Sequence, residues 1–105
     1  MAQFDVFANP GRGRDVVPFP VSLQSTRLER AGTRFVAALV SRTALAVEAN
    51  WLAPGFTVAG REVVLDVFNL ATLPAARLGA PVGTLAGEDS RAKLVRALDE
   101  FLSQA

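Results

Sequence analysis

From Glu62 to Leu70 the chain alternates as a strand does, yet both faces of the alternation are apolar. Val63, Leu65 and Val67 share one face, while Val64, Phe68 and Leu70 share the other with Asp66. Period-two alternation sends successive side chains to opposite sides of a sheet. A strand apolar on both sides belongs in the middle of a sheet and needs cover above and below. The arm before it, Phe56 to Ala59, is separated from it by Gly60-Arg61. That pair reads as a two-residue hairpin connection of the Gly-X kind.

The remaining N-terminal two thirds also reads as β-structure. Phe4 and Val6 alternate with Gln3, Asp5 and Phe7. Asn9-Pro10-Gly11-Arg12-Gly13 stacks turn-forming residues and is read as a loop. Its Gly-Arg-Gly has neither the GxGxxG spacing nor the Lys-Ser/Thr pair of a phosphate loop, so turn chemistry accounts for it. Val17, Phe19, Val21 and Leu23 alternate again, with Pro18 and Pro20 between them. Proline cannot donate to a ladder, which predicts an edge strand or prolines turned away from any neighbour. Gln24 to Thr33 is a polar connection with Gly32 at a turn, and Arg34 to Val40 reads as a strand. Arg42 to Leu52 fits neither period, with Ala favouring helix and the flanking segments favouring sheet. Ala53-Pro54-Gly55 is a turn signal, and Leu73 to Leu85, carrying Pro74, Gly79, Pro81 and Gly83, is read as irregular or a short strand.

The pattern changes at the end. Leu94, Leu98, Phe101, Leu102 and Ala105 recur at helical spacing, Val95 widens the stripe, and Lys93, Arg96, Asp99 and Glu100 lie largely off it. Glu88 and Asp89 place negative charge at the helix start, where Ser90 is a candidate cap. The chain is therefore read as one domain over residues 1–105, mainly β with a C-terminal α-helix packed on a small antiparallel sheet. At 105 residues there is material for one modest core.

Composition narrows the function. There is no Cys, no His and no Tyr, so disulfides, thiolate or imidazole metal sites, triads and imidazole acid–base catalysis are unavailable. Eleven basic and ten acidic residues leave a net charge of +1, which argues against a dedicated nucleic-acid or polybasic membrane binder. The balance leans toward a module that binds, with no cofactor and no metal. Met1 to Asn9 shows no leader pattern and no apolar run approaches the roughly 20 residues of a membrane helix. A cytoplasmic location is the expectation. Asp66, inside an apolar strand, would need a partner such as an Arg if buried. Arg27, Arg30, Arg34 and Arg42 lie close in sequence and form either a patch for RNA or an acidic peptide, or simply a solvated face. Trp51, the single Trp, is read as core, with an interface anchor as the alternative.

Taken together, several segments resemble one family along nearly the whole chain. Gln3-Phe4-Asp5-Val6-Phe7 before a Pro/Gly/Arg loop resembles the start of the CcdB toxins. So does Val21-Ser22-Leu23-Gln24-Ser25 running through to Thr33-Arg34-Phe35-Val36. Leu70-Ala71-Thr72-Leu73-Pro74, Leu78-Gly79 and Val82-Gly83-Thr84-Leu85 are similar to the family's later segment. The resemblance implies a small SH3-like barrel of the CcdB/MazF type and a homodimer. It also implies a type II toxin that poisons DNA gyrase by binding its A subunit, without catalysis. The partner it implies is a CcdA-like antitoxin with an acidic disordered tail, drawn to some of Arg27, Arg30, Arg34 and Arg42.

The resemblance also places the gyrase-facing surface, and there the sequence departs from it. The family ends in Trp-Gly-Ile after the helix, where this chain has Ser103-Gln104-Ala105. Asp99 stands where the family has Asn, Arg27 and Leu28 stand where it has two apolar residues, and Leu102 is a further gyrase-facing position that the resemblance implies. A Trp is a large rigid anchor that Ser does not replace. Weakened or redirected target binding is the expectation. A related barrel serves the MazF and Kid endoribonucleases, so two alternatives stand beside it. One is an RNase using Arg34 or Arg42 with a carboxylate such as Asp66. The other is a barrel that binds some unrelated protein.

Overall fold

The computed structural model describes residues 2–45 and 48–103. Six strands run in the order β1 (Asp5–Val6), β2 (Phe19–Ser22), β3 (Thr33–Ser41), β4 (Gly55–Val58), β5 (Arg61–Pro74) and β6 (Gly83–Thr84). A four-residue helix, α1 (Arg42–Leu45), follows β3, and α2 (Glu88–Leu102) follows β6. In the sheet the strands lie β4-β5-β3-β2-β1-β6, every neighbouring pair antiparallel. The two ends of that order curl toward each other. A Cβ placed on Gly83 of β6 would lie 3.4 Å from the Val58 side chain of β4. The result is a nearly closed barrel with a C-terminal helix.

The doubly apolar strand is central, between β4 and β3, as its pattern requires. Val63, Leu65 and Val67 enter the main core with Phe4, Val6, Val21, Leu39, Phe56 and Leu85, and α2 closes that core with Leu94 and Ala97. The opposite face carries a smaller cluster in which Val64 packs with Ala38 and Val40. Register shifts along β5: Ala38 faces Asp66 while Ala37 faces Leu70, leaving Val67, Phe68 and Asn69 without partners on β3. This three-residue bulge resets the alternation. Leu70, which unbroken alternation places on the outer face, packs against the main core, and Phe68 is thrown outward to 76% exposure.

Other local expectations need correction. The hairpin turn is Ala59-Gly60, not Gly60-Arg61, since Val58 pairs with Arg61. Ala59 and Gly60 have φ of 49° and 78°, the two positive values that a type I′ turn demands. β2 is interior, flanked by β1 and β3. Its prolines do face a neighbour: the Phe7 and Asn9 N–H groups donate to the Pro20 and Pro18 carbonyls, each at 3.0 Å. A proline loses its donor but keeps its acceptor, so this ladder runs in one direction only. Ser90 lies inside α2, whose N-cap is Gly87, with Glu88 and Asp89 in the first turn beside the positive end of the dipole. β5 extends through Leu73 to Pro74, so the irregular stretch begins later than the prolines and glycines suggest. The ambiguous segment after Ser41 holds one helical turn, and Ala46 and Val47 fall outside the described residues.

Candidate functional site

Three surfaces carry the residues of interest. The first is the loop between β2 and β3. Gln24 organises it: its amide donates to the carbonyls of Leu28 (3.2 Å) and Thr33 (3.1 Å), and its oxygen accepts from the Phe35 N–H (3.1 Å). The Ser25 hydroxyl caps the short 3₁₀ turn Thr26–Leu28 by accepting from the Arg27 N–H at 3.2 Å. Arg34 holds the loop from beneath. It is only 5% exposed, and its guanidinium donates to the carbonyls of Glu29, Ala31 and Thr33. Arg27, Leu28 and Arg30 are left on the surface.

The second surface is the C-terminal end of α2. Phe101 is half-buried and meets Phe68 edge-on, with ring centres 5.3 Å apart. Leu102, expected on the packed stripe, is 72% exposed, because Ala97 takes the inner position instead. Asp99 and Ser103 are exposed beside it, while Gln104 and Ala105 lie outside the described residues. Among the described residues, the hydrogen-bonded link from the 3₁₀ turn to α2 ends at Arg91. The Gln3 N–H donates to the Thr26 hydroxyl, and the Gln3 oxygen accepts from Arg91 at 3.2 Å. Asp99 and Leu102 stand two to three turns further on, about 12 and 17 Å along the helix axis.

The third surface was not anticipated. A cavity of about 570 Å³ opens between β4 and the first turns of α2, lined by Arg42, Trp51, Phe56, Glu62, Lys93 and Arg96 among others. Trp51 is not core: it is 52% exposed, with the Arg96 guanidinium 5.7 Å from its ring centre. Lys93 lies 4.5 Å over the Phe56 ring and donates to the Gly55 carbonyl. Arg42 reaches Glu62 at 3.9 Å, and Glu62 also accepts from the Thr57 hydroxyl at 2.6 Å. These residues come from positions up to 54 apart, so no local sequence window contains the group.

The four arginines do not form one patch. Arg34 and Arg42 stand at opposite ends of β3, roughly 25 Å of strand apart. Arg27 and Arg30 share the first end with Arg34, whereas Arg42 belongs to the cavity. Among the described residues, no arginine pairs with Asp66 as expected for a buried carboxylate. Half-buried, it accepts the Phe68 N–H at 3.0 Å and so stabilises the bulge. It faces Ala38, four residues along β3 from both Arg34 and Arg42. Among the described residues, no three His, Cys, Asp or Glu side chains are grouped to hold a metal ion, and no helix is long and apolar enough to cross a membrane.

The architecture is a nearly closed antiparallel barrel that ends in an amphipathic helix, and the family match gives it a class: a toxin of the type II toxin–antitoxin systems. The chain belongs to the CcdB family, matching the family described as CcdB protein over residues 3–103. None of the curated proteins compared with the chain matches it significantly.

Proposed function

We propose that this toxin acts as a homodimer and by binding alone, and that its hold on the DNA gyrase A subunit is weak. The observation that carries the reading is the helix end: exposed Phe68 meets half-buried Phe101, exposed Leu102 and Ser103 follow in the chain, and Ser103-Gln104-Ala105 contains no aromatic residue. Exposed apolar side chains grouped at one place mark an interaction site. A two-fold contact there would cover the same patch on both copies. Asp99 and Leu102 then flank the dimer contact, and Arg27 and Leu28 supply a second exposed element for the target. The separation of Asp66 from Arg34 and Arg42 supports binding over RNA cleavage, since an acid–base step needs its groups within hydrogen-bond reach of one substrate. An arginine, which keeps its proton in proteins, also does not act as a proton shuttle.

The test is gain of function. Replacing Ser103, Gln104 and Ala105 by Trp, Gly and Ile restores an anchor of the kind worth about 2 kcal/mol, or roughly 30-fold in affinity. Calorimetry against purified gyrase A subunit is expected to show that gain with the thermal midpoint unchanged. Equal affinity of the two proteins would refute the reading.

A further inference from the structure

We propose that the cavity between β4 and the first turns of α2 binds a nucleotide, whose ring stacks on Trp51 and whose phosphates are held by Arg42 and Lys93. Such a site is distinct from the helix end and from the β2–β3 loop, and it needs no partner protein. The two cations meet at Gly55. Lys93 donates to the Gly55 carbonyl, and the Arg42 guanidinium comes within 4.0 Å of the place a Gly55 Cβ would take. A Cβ there would also stand 3.2 Å from the Ala49 side chain, so the glycine keeps this part of the cavity open. Both cations have donors to spare among the described residues. An ammonium carries three N–H groups and a guanidinium five. Lys93 spends one on Gly55, and Arg42 reaches Glu62 only at 3.9 Å, beyond hydrogen-bond range. Arg34, by contrast, is buried against three carbonyls of its loop.

The lining supplies the other contacts that a nucleotide needs. Half-exposed Trp51 is a stacking platform on the cavity wall, and the Arg96 guanidinium beside it adds a second planar group. Every base has a π-face, so such a platform accepts a base ring without reading its edge. Glu62 is the carboxylate of the lining, steadied by the Thr57 hydroxyl at 2.6 Å. It suits the hydroxyl donors of a sugar, and it repels the successive phosphates of a continuous nucleic-acid strand. The volume of about 570 Å³ lies within the roughly 300–1,000 Å³ typical of small-molecule sites. Two convergent cations, an aromatic platform and one carboxylate thus stand in a cavity of the right size. A bare polyphosphate would leave the ring unused, and an uncharged ring would leave the cations unused.

Because Trp51 is the single Trp, its fluorescence reports on this site alone. The probe is adenosine diphosphate, with adenosine, pyrophosphate and a short single-stranded oligodeoxynucleotide as comparisons. Saturable quenching of Trp51 is expected with the diphosphate, and calorimetry should give adenosine and pyrophosphate each at least about tenfold lower affinity. The affinity should fall as salt shortens the screening length from about 10 Å toward 3 Å. Arg42→Gln/Lys93→Gln is expected to weaken binding at least about tenfold. Neither residue belongs to the buried core, and an unchanged thermal midpoint verifies the fold of the variant. Trp51→Ala, followed by calorimetry, should lose affinity by a similar factor, and Trp51→Phe, which keeps a ring, should fall between. No binding of the diphosphate overturns the proposal, as does equal affinity for adenosine or pyrophosphate. Undiminished affinity in Arg42→Gln/Lys93→Gln or in Trp51→Ala also overturns it. Tighter binding of the oligodeoxynucleotide than of the diphosphate would give the surface to nucleic acid and overturn it too.

Discussion

Phe68→Asp separates assembly from folding. Fully burying a Phe side chain is worth about 1.5–3 kcal/mol. Phe68 is 76% exposed in the protomer, so most of that stabilisation is unrealised until something covers it. About 1–2 kcal/mol per copy remains to be gained in a dimer. A two-fold contact repeats the residue, which doubles the loss on substitution to about 2–4 kcal/mol. The dimer dissociation constant should then rise about 30- to 1000-fold. An aspartate adds like-charge repulsion across the axis, so the upper part of that range is expected. The protomer loses little, because its chief contact is the edge-on ring of Phe101 at 5.3 Å, an interaction worth about 0.5–1.5 kcal/mol. Sedimentation equilibrium over a wide concentration range measures the first effect, and circular dichroism confirms that the barrel persists. A dissociation constant unchanged within a factor of about 3 would refute the reasoning, as would an unaltered protein that is monomeric at micromolar concentration.

Two further substitutions probe the scaffold. Arg34→Met removes a buried guanidinium from three loop carbonyls and is expected to destabilise the barrel by about 2–3 kcal/mol. Urea midpoints measure the cost, amide exchange should rise selectively over residues 25–33, and Arg34→Lys should recover only part because an ammonium lacks the planar fork. Ala59→Asn replaces an alanine held at φ 49° by a residue that tolerates the left-handed region. It is expected to raise the thermal midpoint by about 2–4 °C in a scanning experiment, and a lowered midpoint would refute the type I′ assignment.

Where the sequence was legible, local periodicity set the structure. The doubly apolar run from Val63 became the central strand, and the stripe through Leu94 became the helix that covers the core. Errors arose where one residue changed the parity or the direction of a ladder. The turn slipped by one position because Ala59 accepts a conformation that Gly60 alone seemed to demand. Pro18 and Pro20 look like edge residues until their carbonyls are counted as acceptors. Leu70 moved from the outer face to the core, away from Phe68, because Asp66 holds a bulge that strict alternation does not foresee. The Gln24-Ser25 pair, by contrast, was legible as part of a family motif before its role in clamping the loop was visible. The cavity beside Trp51 was illegible for a different reason. Lys93 and Arg96 read as solvated charges off the helix stripe, and only barrel closure brings them to Arg42 and Trp51.

The central claim is a toxin fold with a weakened gyrase grip, and growth of paired host strains tests it most directly. The unaltered chain and the variant ending in Trp-Gly-Ile would be induced in a sensitive host and in one whose gyrase A subunit resists CcdB. The account predicts little or no killing by the unaltered chain, and killing by the variant in the sensitive host only. Strong gyrase-dependent killing by the unaltered chain would contradict it, and so would killing equally strong in both hosts.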